Sequence, residues 1–184
     1  MTDDLPPNLR LFLDCYQTAR KKHGLKGAPR QKDLPLREMA PVLPELDIVE
    51  RTAEGELVFR LIGTEVEKRF GPGYTKRPFR ELGGKGNQSL ALQGLELIAP
   101  LPCGVLWTSA NRFKSGIELN VAILSLPLTI QEGEAVPSGF ASCHAPLDAI
   151  PPFREDDDIF VYFKPLEFQY VDLGNGVPDM PFGT

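Results

Sequence analysis

Gly104-Val105-Leu106-Trp107-Thr108-Ser109-Ala110-Asn111-Arg112-Phe113 carries Val, Thr, Trp and Phe in a run that ends at the tight turn Lys114-Ser115-Gly116. Ile117 to Ile130 is a second long run of strand-forming residues, closed by the turn Gln131-Glu132-Gly133-Glu134. Val136 to His144 is a third. Long apolar-rich runs joined by short turns predict an antiparallel meander. Pro127 lies inside the second run and has no amide to donate, so it marks a bulge or a place where pairing fails. Alternation divides the first run into two sets. Val105, Trp107, Ser109 and Asn111 form one, and Leu106, Thr108, Ala110 and Arg112 the other. Which sets share a face across strands depends on a register that sequence does not state.

Upstream lies a hairpin pattern. Leu46 to Glu50 and Leu57 to Ile62 are strand-like, and Thr52-Ala53-Glu54-Gly55 supplies the turn. Simple alternation places Phe59 and Leu61 on one face and Arg60 on the other. Gly63 permits a sharp turn, Thr64 is placed to cap a helix from Glu65 to Phe70, and Gly71-Pro72-Gly73 stops it. Pro78 to Leu82 predicts one helical turn, followed by a Gly83 to Gly86 linker that lacks the Gly-Lys-Ser/Thr ending of a phosphate loop. Asn87 caps a helix from Gln88 to Ala99, apolar around most of its circumference and therefore largely buried.

Nearer the N-terminus, Leu36 to Leu43 predicts a short helix interrupted by Pro41. Asn8 to His23 is amphipathic: Leu9, Phe12, Leu13, Tyr16 and Ala19 fall at three- and four-residue steps. Asn8 is placed to cap this helix, and Gly24 ends it after Arg20, Lys21 and Lys22. Lys26, Arg30 and Lys32 then form a basic loop, read as a solvated loop or an anion- or partner-binding patch. At the other end, seven of the sixteen aromatic residues fall within positions 151–184. The run Ile159-Phe160-Val161-Tyr162-Phe163 is an aggregation hazard in solvent, with Glu155-Asp156-Asp157-Asp158 before it as a charged gatekeeper. This tail must pack on its own domain or on a second subunit.

Composition sets the remaining bounds. With 184 residues the chain is long enough for a core without disulfides. A net charge of −5 argues against a nucleic-acid binder held by backbone electrostatics. No apolar run is long enough for a membrane span, and residues 1–7 lack the pattern of a secretory signal, so a cytoplasmic protein is expected. Cys15, Cys103 and Cys143 are too scattered for a zinc spacing, even with His23 and His144, and read as buried thiols. No metal site and no catalytic residues are assigned. The acid clusters Glu65/Glu67 and Glu155 to Asp158 read as solvated surface.

Three segments carry a resemblance when taken in order: Leu43-Pro44-Glu45-Leu46-Asp47-Ile48-Val49, Phe59-Arg60-Leu61-Ile62-Gly63-Thr64, and Leu124-Ser125-Leu126-Pro127-Leu128. The chain resembles the PAS superfamily, and within it the small alphaproteobacterial family first catalogued as a domain of unknown function. The likeness runs from about Gln31 to His144. It implies an α+β fold: a five-stranded antiparallel sheet with helices on one face, preceded by an amphipathic helix and followed by an aromatic-rich arm. The corresponding division is 1–30, 31–146 and 147–184.

The resemblance further implies a sensory and protein-interaction module that works through a separate signalling partner, with no nucleic acid or membrane partner. Homodimerisation is expected through the first helix, at Leu9, Phe12, Leu13 and Tyr16. A ligand pocket is expected at Phe59, Arg60, Leu61, Trp107, Ser109 and Asn111. Its ligand is unknown and no cofactor is assigned. Flavin photochemistry through a reactive cysteine is disfavoured, because no Asn-Cys-Arg-type motif is present. Haem ligation by His144 is physically possible but second to a hydrogen-bonded role. Arg60 has two readings, a carboxylate ligand or an acid of the protein itself. A stand-alone small-molecule receptor and a small α+β enzyme are the competing functions.

Overall fold

The computed structural model describes residues 4–22, 24, 27–82, 88–101, 103–130, 133, 136–149, 158 and 160–179, with side chains between 88 and 101 only from Gln93 on. The expected linker Gly83 to Gly86, the cap at Asn87, most of the turn 131–134 and the acids 155–157 lie outside the described residues.

One antiparallel sheet organises the chain. Its strands are β1 (Leu46–Arg51), β2 (Leu57–Ile62), β3 (Gly104–Phe113), β4 (Glu118–Leu128), β5 (Gly139–Pro146) and β6 (Phe160–Val171). They lie in the order β2-β1-β5-β4-β3-β6. The expected meander is β3-β4-β5, and the β1–β2 hairpin joins it through β1 against β5. Pairing of β4 with β3 stops at Ser125, whereas pairing with β5 continues to Leu128. Pro127 thus sits where β4 keeps only one neighbour, the placement a residue without a donor requires.

The sheet has one strand more than the five expected. The aromatic tail supplies β6, which pairs along β3 from Gly104↔Val171 to Phe113↔Phe160. Phe160 and Phe163 turn inward and are buried, so the tail packs on its own chain. Asp158, expected as part of a solvated acid run, is also buried. It accepts hydrogen bonds from the Ser115 backbone N–H and hydroxyl, both at 2.8 Å, and so pins the turn between β3 and β4.

Helices cover both faces of the sheet, not one. On the inner face lie α2 (Thr64–Phe70) and α3 (Gln88–Ile98), over Val49, Phe59, Val105, Trp107, Val121, Ile123 and Phe140. On the outer face lies α1 (Pro7–Lys22), over Ala122, Leu124, Leu126, Ala141 and Cys143. The centre of the sheet is therefore apolar on both sides. Eight of the eleven β4 residues in a row, Val121 to Leu128, are buried.

This arrangement changes the role of the first helix. Leu9, Phe12 and Tyr16 are fully buried and Leu13 is 7% exposed, all within one chain. The Tyr16 hydroxyl donates to the Pro127 carbonyl at 2.6 Å, and Asn8 Nδ2 donates to the His144 carbonyl at 2.7 Å. The four residues expected at a seam between copies are thus occupied by the chain's own sheet. Burying large apolar side chains here contributes about 1.5–3 kcal/mol each, which would be lost if the helix left to join another copy. Asn8 lies inside the helix rather than capping it.

Local differences have simple causes. Residues 36–42 form successive turns rather than a helix, leading into a 3-10 turn at Leu43–Glu45. Pro41 denies a helix a donor there. Gly63 does not adopt a left-handed conformation, its φ being −70°. What it provides is closeness. A Cβ there would lie nearer than 3.0 Å to the carbonyl oxygens of Leu43 and Pro44, and the Gly63 N–H donates to the Leu46 carbonyl at 2.7 Å.

Two stability experiments follow. Gly63→Ala forces backbone apart and should cost about 1–3 kcal/mol in urea unfolding. Gly55→Ala, in an open turn at φ +87°, should cost about 1 kcal/mol at most; equal losses would refute the close-approach role. The second concerns pH. Burial is the main cause pushing the Cys143 thiol up to about 12 and Cys103 up to about 11, with nearby acids adding to it. The unfolded thiols lose their protons first as pH rises past about 8.5. Stability should therefore be unaffected by these groups at pH 7 and fall between about pH 9 and 11. The expected slope is about 1.4 kcal/mol per pH unit per thiol, and Cys143→Ala should flatten it. A wild-type slope that this substitution leaves intact would remove the thiols as its source.

Candidate functional site

The inner face of the sheet holds a band of polar side chains beneath α2 and α3. Alternation puts Asp47 and Val49 of β1 inward, with Phe140, Ser142 and His144 of β5 and Ser125 of β4. Strand β3 contributes Trp107, Ser109 and Asn111. All of these polar residues are buried: Ser109 is 0%, Asn111 1%, Ser125 1%, His144 2%, Asp47 4% and Ser142 7% exposed. Such groups are costly inside a core unless they find partners.

Most do. His144 Nε2 donates to Asp47 Oδ2 at 2.6 Å; a carboxylate oxygen only accepts, so the hydrogen belongs to the ring nitrogen. Trp107 Nε1 donates to Ser125 Oγ at 3.3 Å, and Ser125 and Ser142 share a hydrogen bond of 2.9 Å. Ser109 Oγ donates to Asn111 Oδ1 at 3.0 Å. Three atoms do not. Asp47 Oδ1, His144 Nδ1 and Asn111 Nδ2 are buried without a hydrogen-bond partner. The three residues line one cavity of about 20 Å³, together with Phe59, Trp107, Leu82, Leu95 and Phe163. By this measure the space holds a molecule the size of water.

The walls are rigid. Trp107 stacks on Phe168 with ring centres 5.8 Å apart and planes 1° apart, and meets Phe163 edge-on at 5.7 Å. Phe70 of α2 stands edge-on to the His144 ring at 5.9 Å. Its neighbour Arg69, 2% exposed, makes a two-pronged pair with Glu45 at 2.6 and 3.1 Å. That pair fastens α2 to the segment entering β1. A cavity this small does not accommodate a haem, and His144 Nε2 is already engaged by Asp47, so the residues do not fit haem ligation. Among the described residues no three His, Cys, Asp or Glu side chains group to hold a metal ion.

Of the six expected pocket residues, Phe59, Trp107, Ser109 and Asn111 meet at this cavity. Arg60 and Leu61 do not. A bulge in the β1–β2 ladder pairs Ile48 with Leu61 but Val49 with Phe59, leaving Arg60 as the extra residue. One inserted residue breaks the alternation, so Phe59 faces inward while Arg60 and Leu61 line a groove on the outer face. Asp47, Ser125, Ser142 and His144 were not assigned to the pocket from sequence. An acid within a short strand, and a polar residue at every second position of Ser142-Cys143-His144, were the signals available.

A PAS domain family model matches residues 6–138. The chain belongs to the PAS domain family, whose members are sensory and signalling modules. The match takes in α1 and ends one residue before β5, so His144 and Ser142 fall beyond it. No curated protein and no solved structure matched the chain. Among the described residues no helix is long and apolar enough to cross a membrane.

The Asp47–His144 pair should behave as a unit. Removing one member leaves the other buried and unpaired, a loss of about 3–5 kcal/mol. The double variant Asp47→Leu/His144→Leu should lose clearly less than the sum of the two single variants in urea unfolding. Additive losses would show that the two side chains do not depend on each other.

Proposed function

We propose that this protein is a cytoplasmic signal-relay module. In this reading its inner polar cavity takes a small ligand, and its state is passed to a separate partner protein without chemical turnover. The observation that carries the reading is the convergence of Asp47 Oδ1, His144 Nδ1 and Asn111 Nδ2, buried and unpartnered, on one cavity. A native core satisfies nearly all of its buried polar atoms, and exceptions need an explanation. A ligand that donates towards Asp47 and His144 and accepts from Asn111 supplies the missing partners. Anything much larger than water enters only if Leu82 and Leu95 yield on the helical side. Self-association through the apolar face of α1 forms no part of this reading, because that face is covered in cis.

Native mass spectrometry of freshly purified protein tests the proposal together with Trp107 emission, since Trp107 is the only tryptophan. The expected result is a small added mass, lost on denaturation. Ser109→Leu, which fills the cavity, should abolish it. Adding small-metabolite extract to stripped protein should restore the mass and shift the emission. A bare wild-type mass with emission unmoved by extract would overturn the ligand reading.

A further inference from the structure

The outer face carries a second concavity, separated from the inner cavity by the sheet itself. It is a groove of about 810 Å³ between β1–β2 and the segment 30–44. That volume is within the range of roughly 300–1,000 Å³ common for small-molecule sites. Its floor is aliphatic, with Leu34, Leu43, Ile48, Leu61 and Ile130 among the residues that line it. Its charged lining is of one sign: Arg30, Lys32 and Arg60 contribute, and no carboxylate does. This is a local reversal in a chain of net charge −5.

The groove is built before any ligand arrives. One wall is tied to the end of β4, where Gln31 N–H donates to the Thr129 carbonyl at 3.0 Å and Thr129 N–H to the Pro29 carbonyl at 3.0 Å. The other is set by the tight approach of Gly63 to Leu43 and Pro44. Arg60, lifted out of register by the bulge, is held at Nε by Gln31 at 3.0 Å and at Nη1 by Glu50 at 2.7 Å. An arginine oriented in this way loses little freedom when it meets an anion.

We infer that this groove binds a free aliphatic carboxylate, its chain on the Leu43–Ile48–Leu61 floor and its head group against Arg60 and Lys32. The apolar floor alone would accept any hydrocarbon. The cation-only lining selects the anion, because it would repel an amine and leave an alcohol without a charge partner.

The test uses the intact chain and decanoate below its micelle-forming concentration, followed by isothermal titration. Decanol and decylamine serve as neutral and cationic counterparts. Saturable binding of decanoate is expected, at least tenfold tighter than decanol, and weakening as salt rises. Arg60→Glu should weaken it at least tenfold. Ala40→Trp, at an exposed position lining the groove, should abolish it by filling the space. Glu50→Gln, which frees Arg60 from its competitor, should tighten it severalfold. Equal affinity for decanol and decanoate would overturn the inference, as would indifference to Arg60→Glu. Loss of binding in Ser109→Leu but not in Ala40→Trp would place the ligand on the other face and overturn it as well.

Discussion

The close passage of Gly63 beneath the carbonyls of Leu43 and Pro44 governs geometry on both sides of the sheet. Its N–H closes onto Leu46, the first residue of β1, at 2.7 Å, and its carbonyl accepts from Glu67 at 2.9 Å in the first turn of α2. The same residue therefore ends β2, anchors β1 and starts α2. From that start α2 delivers Val66, Arg69 and Phe70 to the inner face, where Phe70 meets His144 and Arg69 meets Glu45. The same crossing forms one end of the outer groove. A side chain at this position would part backbone from backbone, and no rotamer change relieves that.

The polar band on the inner face has a different logic from the apolar cores around it. Hydrophobic burial is tolerant of shape, whereas a buried hydrogen-bonding group is either matched or costly. The chain Trp107–Ser125–Ser142 is matched by strand register alone, since Ser125 stands opposite Ser142 across the β4–β5 pair. Asp47 and His144 are matched to each other by the β1–β5 register, which places Asp47 opposite Ser142, one step from His144. Each pair uses only part of what its atoms offer. The remaining valences concentrate at the cavity, so the sheet's register presents a polar surface that side-chain packing alone would have closed over.

Much of this was legible in the sequence, because alternation and turn residues act locally. Gly104–Phe113 and Leu57–Ile62 are strands over the spans their patterns predict. The amphipathic face of α1 was equally plain, but amphipathicity reports only that something covers a face. It does not say whether the cover is the chain's own sheet or another copy. The bulge at Arg60 was illegible for a related reason. A run of Phe, Arg, Leu and Ile reads as simple alternation, and the extra residue appears only when the β1 partner is counted against it. The tail hid its strand behind Pro165, which a central strand would not tolerate. At the sheet edge it is acceptable, opposite Ser109 where the ladder with β3 shifts register.

Strand β1 is the thin partition between the two concavities. Asp47 and Val49 point into the inner core, and Ile48 and Glu50 reach the outer side, on successive residues of one backbone. Interiors packed to crystal-like density yield little. A displacement of β1 that made room for a ligand beside Asp47 must therefore carry Ile48 and Glu50 with it. Glu50 holds Arg60 at 2.7 Å, and Arg60 in turn holds Gln31 of the outer wall at 3.0 Å. The two-residue period of a strand thus places an inner polar group and an outer ion pair on adjacent peptide units. What separates the faces chemically is also what ties them together mechanically.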